Sequence, residues 1–215
     1  MSVATAILLS WKRVENLARI VEQLKKSNRI GEIFVWNNNP DLTLDLPVDA
    51  VINSPRNFSC LARYCLVPLA ANDVVWFQDD DVLVTPAQLE TVFMHYERDP
   101  SRIYGCRGRN VVNGQYTWAT IYGDCDIILG QAMLFHRNLY RHAFATLGAL
   151  GPMTEDDIAF SLSCDRRHFA VNVEPIQDLG DDDEVALWKR PNHFEKRQEC
   201  VALMLSARAA RMAAV

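Results

Sequence analysis

Three consecutive carboxylates, Asp79, Asp80 and Asp81, directly follow an apolar run at residues 74–77. The run consists of β-branched and aromatic residues, which predicts a buried strand with the aspartates at its carboxyl end. Because side chains alternate along a strand, Asp79 and Asp81 are expected on one side and Asp80 on the other. Two like charges ~4 Å apart repel by about 4 kcal/mol at an effective dielectric constant near 20, a penalty that a bound divalent cation would reverse.

The chemistry of this triplet predicts a class of metal and a class of substrate. Carboxylate oxygens suit Mg²⁺, Mn²⁺ or Ca²⁺. A site with only two converging carboxylates usually completes its coordination shell with water and with substrate phosphates. The sequence therefore predicts a phosphorylated ligand.

The other reactive side chains predict no second site of this kind. The acidic run at residues 181–184 follows a Leu–Gly pair rather than an apolar strand, which indicates a solvated loop. His193 is a lone histidine without the spacing of a zinc site. The cysteines contain no CxxC pair and are interpreted as reduced core residues: Cys60, Cys65, Cys106, Cys125, Cys164 and Cys200.

Composition limits the partners. The formal net charge is -5 over 215 residues, which argues against nucleic acid, and a phosphorylated ligand would depend on local Arg or Lys. The apolar segment at residues 4–9 is too short for a signal sequence, and no stretch approaches ~18 apolar residues. We therefore expect a cytoplasmic protein, whose last helix at residues 203–215 could contact the inner face of a membrane peripherally.

The first half of the chain alternates strands with helices. Strands are predicted at residues 4–10, 32–37, 50–53 and 74–77, and helices at 17–26, 59–69 and 86–96. This alternation indicates a mostly parallel sheet flanked by helices, whose ligands bind beyond the carboxyl ends of the strands. Polar clusters fall at those ends, as a nucleotide site requires: residues 10–13, 37–39, 57–63 and 79–81.

The second half has a different character. Strands predicted at residues 103–109, 116–122 and 132–135 are separated by Gly and Asn turns, which indicates a smaller, partly antiparallel part. Thr154 is predicted to cap a helix with two aspartates in its first turn, where the helix dipole favours ionised carboxylates. Capping chemistry alone would explain these aspartates, so their spacing assigns them no function.

The ordered set of these segments resembles the exostosin-like glycosyltransferases, glycosyltransferase family 64, over nearly the whole chain. The matching pieces are Arg13, residues 35–38, Asn57, Arg63, residues 79–83, 128–132 and 156–159, Trp188, Arg190 and Cys200. Each piece is weak alone, but their order makes the set specific. The resemblance implies an α/β fold of the GT-A type, with a Rossmann-like, mostly parallel sheet flanked by helices and a smaller mixed β/α part on the acceptor side.

The resemblance also implies a domain division and a reaction. One glycosyltransferase domain would span residues 1–200, with a nucleotide-sugar-binding half at 1–100, an acceptor-side half at 101–200 and a helical tail at 201–215. The reaction would be metal-dependent transfer of a sugar, an N-acetylhexosamine, from a UDP-sugar donor to a glycan hydroxyl with retention at the anomeric carbon. The expected cofactor is Mn²⁺ or Mg²⁺, and the expected acceptor is an oligosaccharide or a lipid-linked glycan.

By matching position, the resemblance assigns three groups of site residues. Those expected to bind the donor are Arg13, Asn37, Asn57, Arg63, Asp79 and Asp80. Those expected to bind the metal are Asp81 and Asp79. Those expected to act in catalysis are Asp157, Asp156 and Arg190, with Arg197 as the second candidate for the guanidinium. A metal ion and a guanidinium would stabilise the charge that develops on the departing diphosphate.

The chain departs from the family pattern in two places. In animal relatives, a cysteine directly before the helix aspartates looks paired in a disulfide with a cysteine near the C-terminus. Here the first position is Glu155 while Cys200 remains, so that disulfide cannot form, which fits a reducing cytoplasm. The loop at residues 110–126 also matches poorly, so a heparan-type acceptor is not carried over. Its aromatic residues could line an acceptor site: Tyr116, Trp118 and Tyr122.

Two other functions remain open on the sequence. A nucleotidyltransferase shares a parallel sheet and a carboxylate-bound Mg²⁺, although residues 10–16 lack the Gly-rich, basic phosphate loop that usually follows its first strand. A non-catalytic nucleotide- or glycan-binding protein of the same fold would keep the site and lose turnover. Intact Asp81, Asp157 and Arg190 argue against that second alternative.

Overall fold

The computed structural model describes residues 1–144, 155–180 and 186–213. The predicted cap at Thr154 and the acidic run at 181–184 lie outside the described residues. The helices are α1 (Val14–Lys25), α2 (Pro86–Tyr96), α3 (Arg141–Phe144), α4 (Asp156–Ser163) and α5 (His193–Ala213), with 3-10 helices at Cys60–Leu69, Arg137–Leu139 and Leu187–Lys189. The strands are β1 (Ala4–Ser10), β2 (Ile30–Asn37), β3 (Ala50–Asn53), β4 (Val74–Gln78), β5 (Val82–Leu83), β6 (Tyr104–Gly105), β7 (Gly108–Arg109), β8 (Val111–Val112), β9 (Gln115–Tyr116), β10 (Gly123–Cys125), β11 (Ile127–Ile128), β12 (Ala132–His136), β13 (His168–Ala170) and β14 (Gln177–Asp178).

One eight-stranded sheet runs through the molecule in the order β10-β13-β6-β12-β4-β1-β2-β3. β1 pairs in parallel with β2 and β4, and β2 pairs in parallel with β3. β12 is antiparallel to β4 and β6, β13 is parallel to β6, and β10 is antiparallel to β13. Strands from both predicted halves of the chain therefore share one sheet.

The central strands are apolar throughout because helices cover both faces of the sheet. Every residue of β4 is buried, as is nearly all of β1. Alternate side chains enter two separate cores. Ile7 and Phe77 pack with the 3-10 helix Cys60–Leu69, α4 and α5 on one face, whereas Leu8 and Trp76 pack with α1 and α2 on the other.

The first helices follow from their sequence signals. The four apolar residues that recur at helical spacing in α1 are all buried. α2 begins with Pro86 after a capping box, in which the Thr85 hydroxyl accepts from the Gln88 N–H and the Gln88 side chain accepts from the Thr85 N–H. Within the described ranges, no helix is long and apolar enough to cross a lipid bilayer.

Three segments of the second half differ from prediction. Residues 103–109 form two short strands in different sheets, β6 and β7, rather than one strand. Residues 116–122 are not one strand, because β9 ends at Tyr116 and the chain then turns back until Ile121 bridges Gly108. The last helix begins at His193, well before the predicted start. Its first turns contain many charged residues, and these obscure the apolar periodicity in the sequence. Val201 and Met204 on its apolar face are fully buried. The expected boundary at residue 200 therefore falls inside α5.

One edge of the sheet carries the strand ends where ligands bind in folds of this type. The carboxyl ends of β1 to β4 meet there because these strands are parallel. β6 and β13 run in the same direction as β4, and the antiparallel β12 begins at this edge. The segments that follow or precede these strand ends are residues 11–13, 38–39, 79–81, 106–107, 129–131 and 171–174.

Candidate active site

A cavity of ≈ 1340 Å³ opens at this edge of the sheet. Predicted site residues that line it are Arg13, Asn57, Arg63, Asp79, Asp80, Asp81, Asp156, Asp157 and Arg190. The predicted residue that does not line it is Asn37. Side chains predicted from separate segments of the sequence therefore surround one space.

Asn37 does not line the cavity and is hydrogen-bonded to neighbouring segments. Its side chain is buried, and Nδ2 donates to the Leu42 carbonyl at 2.8 Å and to Asn53 Oδ1 at 3.0 Å. Its Oδ1 accepts from the Asn39 N–H at 3.0 Å. These bonds use both Nδ2 hydrogens and one of the two lone pairs of Oδ1, and the expectation that Asn37 holds uridine remains a prediction. The neighbouring Asn38 lines the cavity instead.

The three aspartates, here called the carboxylate turn (residues 79–81), lie in a turn beyond the end of β4. The Asp79 N–H donates to the Gln131 carbonyl at 3.0 Å. Asp80 Oδ1 accepts from Arg13 Nη1 at 2.7 Å, and Asp81 Oδ2 lies 3.5 Å from the same nitrogen. The Arg13 guanidinium therefore interacts with both Asp80 and Asp81. The predicted alternation is wrong here because the two-residue period ends with the strand.

The carboxylate turn suits a divalent cation. Burial raises the pKa of Asp79 to about 8; the Arg63 guanidinium opposes that rise, and the Asp81 and Asp156 carboxylates add to it. A divalent cation at Asp79 and Asp81 would relieve this crowding of negative charge. In the described part of the chain, no three His, Cys, Asp or Glu side chains form a metal cluster. A bound ion would therefore draw further ligands from water or substrate.

Arg63 lies buried between the carboxylate turn and α4, with 1% of the residue exposed. Its Nη1 donates to Asp79 Oδ1 at 2.8 Å and to the Gly130 carbonyl at 3.0 Å. Its Nε and Nη2 donate to Asp156 Oδ2 at 3.1 and 2.6 Å. Nε, Nη1 and Nη2 of the guanidinium thus all donate to protein groups. Arg63 is a buried link between two carboxylates and also lines the cavity, and its expected contact with the nucleotide remains a prediction.

The first turn of α4 presents two carboxylates with different partners. Asp156 is buried against Arg63, whereas Asp157 Oδ2 accepts from Arg197 Nη2 at 2.9 Å. Arg190, the first candidate on the sequence, is exposed at the cavity and forms no ion pair with any described residue. The guanidinium beside Asp157 is therefore that of Arg197.

Aromatic side chains form another part of the cavity wall. Tyr116, Trp118 and Tyr122 all line it. The Arg197 guanidinium lies 4.7 Å from the Tyr116 ring centroid, and Trp118 stacks on Phe194 with ring centroids 5.7 Å apart. Because Trp118 is 48% exposed, the stacked pair presents an open aromatic surface to the cavity.

A pair of charged residues in the cavity was not predicted. Arg107 Nε donates to Glu174 Oε1 at 2.9 Å, and the Tyr122 hydroxyl donates to the same oxygen at 3.2 Å. Arg107 follows β6 and Glu174 follows β13, which are strands of two and three residues. Strands this short give no periodic signal in a sequence.

The cysteines bear on the departure from the family pattern. Cys200 Sγ lies 3.9 Å from the Glu155 carbonyl oxygen, so the two positions implied by the resemblance are adjacent in space. All six cysteines are free. Cys65 is exposed and Cys60 is half-buried, which differs from the predicted core positions, whereas the other four are buried.

Residues 4–212 match the glycosyl transferase family 64 domain. The chain belongs to glycosyltransferase family 64. This membership was predicted from the ordered motifs and is confirmed by a match that spans both halves of the chain. The protein is accordingly a glycosyltransferase-family domain, which sets the nucleotidyltransferase alternative aside.

The family 64 chain is also similar to solved glycosyltransferase structures. One is the mannosyltransferase PcManGT from Pyrobaculum calidifontis in complex with GDP-Man and Mn²⁺, with TM-score 0.55 and 14% identity over 99% of this chain and 75% of that one. Another is GalNAc-T7 with UDP, GalNAc and Mn²⁺, with TM-score 0.59 and 9% identity over 79% of this chain and 42% of that one. These likenesses show the predicted GT-A fold. No curated protein matches the chain.

Proposed function

We propose that this family 64 protein transfers a sugar from a UDP-sugar donor to a glycan hydroxyl and requires Mn²⁺ or Mg²⁺. The observation that carries the proposal is that the carboxylate turn and the Asp157–Arg197 pair line one cavity. Two glycosyltransferases of the same fold were solved with a nucleotide or nucleotide sugar and Mn²⁺. The transferred sugar is proposed to be an N-acetylhexosamine, as the family resemblance implies.

The residues proposed to hold the metal are Asp81 and Asp79. A bound ion would neutralise charge on the donor diphosphate as the sugar departs. Arg13 holds Asp80 and Asp81 on one side of the turn and so fixes where their oxygens can point. Arg190 has no ion pair among the described residues and lines the cavity, so its guanidinium is available to a donor phosphate.

The pair formed by Asp157 and Arg197 is proposed to act at the sugar. Asp157 is paired and mostly buried at the cavity, where its negative charge would stabilise positive charge at the anomeric carbon. Arg197 holds this carboxylate in one orientation. Retention at the anomeric carbon is the outcome that the family resemblance implies.

The aromatic wall is proposed to face the acceptor. Trp118 and Phe194 present ring surface beside the polar cavity, and sugars combine apolar faces with hydroxyl groups. The acceptor class proposed is an oligosaccharide or a lipid-linked glycan. A cytoplasmic enzyme, peripheral at the inner face of a membrane, fits such an acceptor.

The proposal is tested by incubating the protein with UDP-sugars and Mn²⁺ and measuring UDP release, with and without glycan acceptors. We expect release from a UDP-N-acetylhexosamine, faster with acceptor, and none after removal of divalent cations. Binding of UDP-sugar without any release under every condition would instead support a non-catalytic binding protein.

A further inference from the structure

Arg63 connects two parts of the site that are far apart in the sequence. Its guanidinium bonds to Asp79 in the carboxylate turn at 2.8 Å and to Asp156 in the first turn of α4 at 2.6 Å. Both Arg63 and Asp156 are almost wholly buried. Because a buried charge is costly without partners, the guanidinium and both carboxylates constrain one another.

The shape of the guanidinium determines what this link can do. Its planar fork presents donors in fixed directions, so a bond to Asp156 on one side sets the direction of Nη1 on the other. Nη1 engages Oδ1 of Asp79, whereas Oδ2 of Asp79 has no hydrogen-bond or ion-pair partner among the described residues. The link therefore holds Asp79 in one rotamer and leaves one oxygen for another ligand.

The surroundings leave Arg63 little freedom. Its guanidinium lies 4.9 Å from the ring centroid of the buried Phe77. The Gly130 carbonyl accepts from Nη1 at 3.0 Å, and a Cβ on Gly130 would lie 2.5 Å from Nη2. An arginine packed this closely can transmit the position of α4 to the carboxylate turn.

We propose that Arg63 is a positioning residue that couples the metal-binding carboxylate turn to α4, with Asp156 as its anchor. Asp156 then serves the metal site through Arg63, without contacting the metal. The inference rests on the proposed function, because it requires a metal at Asp79 and Asp81. It goes beyond that function by assigning the metal affinity partly to a carboxylate on another element.

The test is a Mn²⁺ titration of the full chain in saturating UDP, with free Mn²⁺ measured by electron paramagnetic resonance. The variants are Asp156→Asn, which keeps the shape of the anchor and removes its charge, and Arg63→Lys, which keeps the charge and removes the fork. We expect the Kd for Mn²⁺ to rise about tenfold in each, equivalent to roughly 1.4 kcal/mol. The matched control is Arg137→Lys, since Arg137 pairs at the surface with Asp73 at 3.0 Å, and it should bind Mn²⁺ like the wild type.

The thermal midpoint of the unliganded proteins separates positioning from stability. A Kd for Mn²⁺ within twofold of wild type in Asp156→Asn, with or without a lower Tm, would overturn the coupling. If Arg63→Lys does not fold, the Kd for Mn²⁺ of Asp156→Asn is sufficient to test the coupling. Failure of the wild type to bind Mn²⁺ with UDP would contradict the proposed donor site itself and the inference with it, an outcome distinct from normal binding in the variants.

Discussion

Asp156 and Asp157 are neighbours in sequence but have different surroundings. Asp156 faces the buried guanidinium of Arg63, whereas Asp157 faces Arg197 at the cavity. Both carboxylates line the cavity, but they pair with different guanidinium groups. The proposed catalytic carboxylate is Asp157.

The Asp157→Asn variant tests this assignment. The amide keeps the size of the carboxylate and can still accept from Arg197, but it loses the charge proposed to stabilise the transition state. We expect kcat for sugar transfer to fall by about 10²–10³, while UDP and Mn²⁺ binding stays near wild type. The control is Asp165→Asn, whose side chain is 77% exposed. Turnover by Asp157→Asn above one-tenth of wild type, or a similar loss in the control, would contradict the role.

Sequence patterns predicted the position of the carboxylate turn but not the hydrogen-bond partners of several other side chains. Strand period shows which side of a sheet a residue faces, and it cannot show that Asn37 bonds to Asn53 rather than to a ligand. The contact of Arg197 with Asp157 depends on α5 packing against α4. No local pattern reports such a long-range contact, so the sequence could not show which guanidinium lies beside Asp157.

At the scale of elements, the short connection from β11 to β12 carries a constraint on the whole site. Gly130 lies in this connection, and its carbonyl accepts from Arg63. An added Cβ would lie 2.5 Å from Arg63 Nη2 and 3.6 Å from the Asp157 Cβ. Arg63 cannot move aside without leaving its carboxylates, so glycine is required by contact rather than by backbone angle.

The Gly130→Ala variant should therefore disturb the site and the fold together. Overpacking of this kind costs about 1–3 kcal/mol, which for a chain of this length lowers Tm by on the order of 2–10 °C. Differential scanning calorimetry and a UDP titration with Mn²⁺ would measure the two effects, and weaker UDP binding is expected. Gly114→Ala is the control, because Gly114 has φ +76 with open space around it and should cost about 1 kcal/mol in strain alone. Unchanged UDP binding in Gly130→Ala would contradict the proposed constraint.

Element prediction succeeded where periodicity was strong and failed where it was not. β1, α1 and β4 form at the predicted places because their apolar residues match one period and are buried. Residues 116–122 carry aromatic residues at strand-like spacing, yet they line the cavity as an irregular loop. The early part of α5 was missed because charged residues outnumber apolar ones there.

At the scale of the whole molecule, a buried histidine connects β13 and the segment before β6 to α4. His168 Nδ1 accepts from the Ile103 N–H at 3.2 Å, and Nε2 lies 2.9 Å from the Ser161 carbonyl, so the ring is neutral with its proton on Nε2. Burial lowers the pKa of His168 to about 4. The unfolded chain takes up this proton near pH 6.5, and the folded chain does so only near pH 4.

Stability should fall with acid in that window. The contribution of a neutral His168 is complete above pH 6.5 and is lost as the pH falls towards 4, roughly 3 kcal/mol in all. Urea denaturation at pH 7, 5.5 and 4 would measure this loss, and His168→Gln should show a smaller decrease in the free energy of unfolding over the same range. Parallel pH profiles for the two proteins would show that His168 does not carry the effect.

The GT-A fold gathers residues from both halves of the chain at one edge of one sheet, and the central claim is that this edge binds a uridine nucleotide through a divalent cation. A thermal-shift titration with UDP, with and without Mn²⁺, tests it most directly. Ligand at ~100 Kd should add about 2.7 kcal/mol, or several degrees in Tm. We predict a rise that needs both ligands and is lost in Asp81→Ala. No rise with UDP and Mn²⁺, while GDP and Mn²⁺ produce one, would contradict the account of the donor.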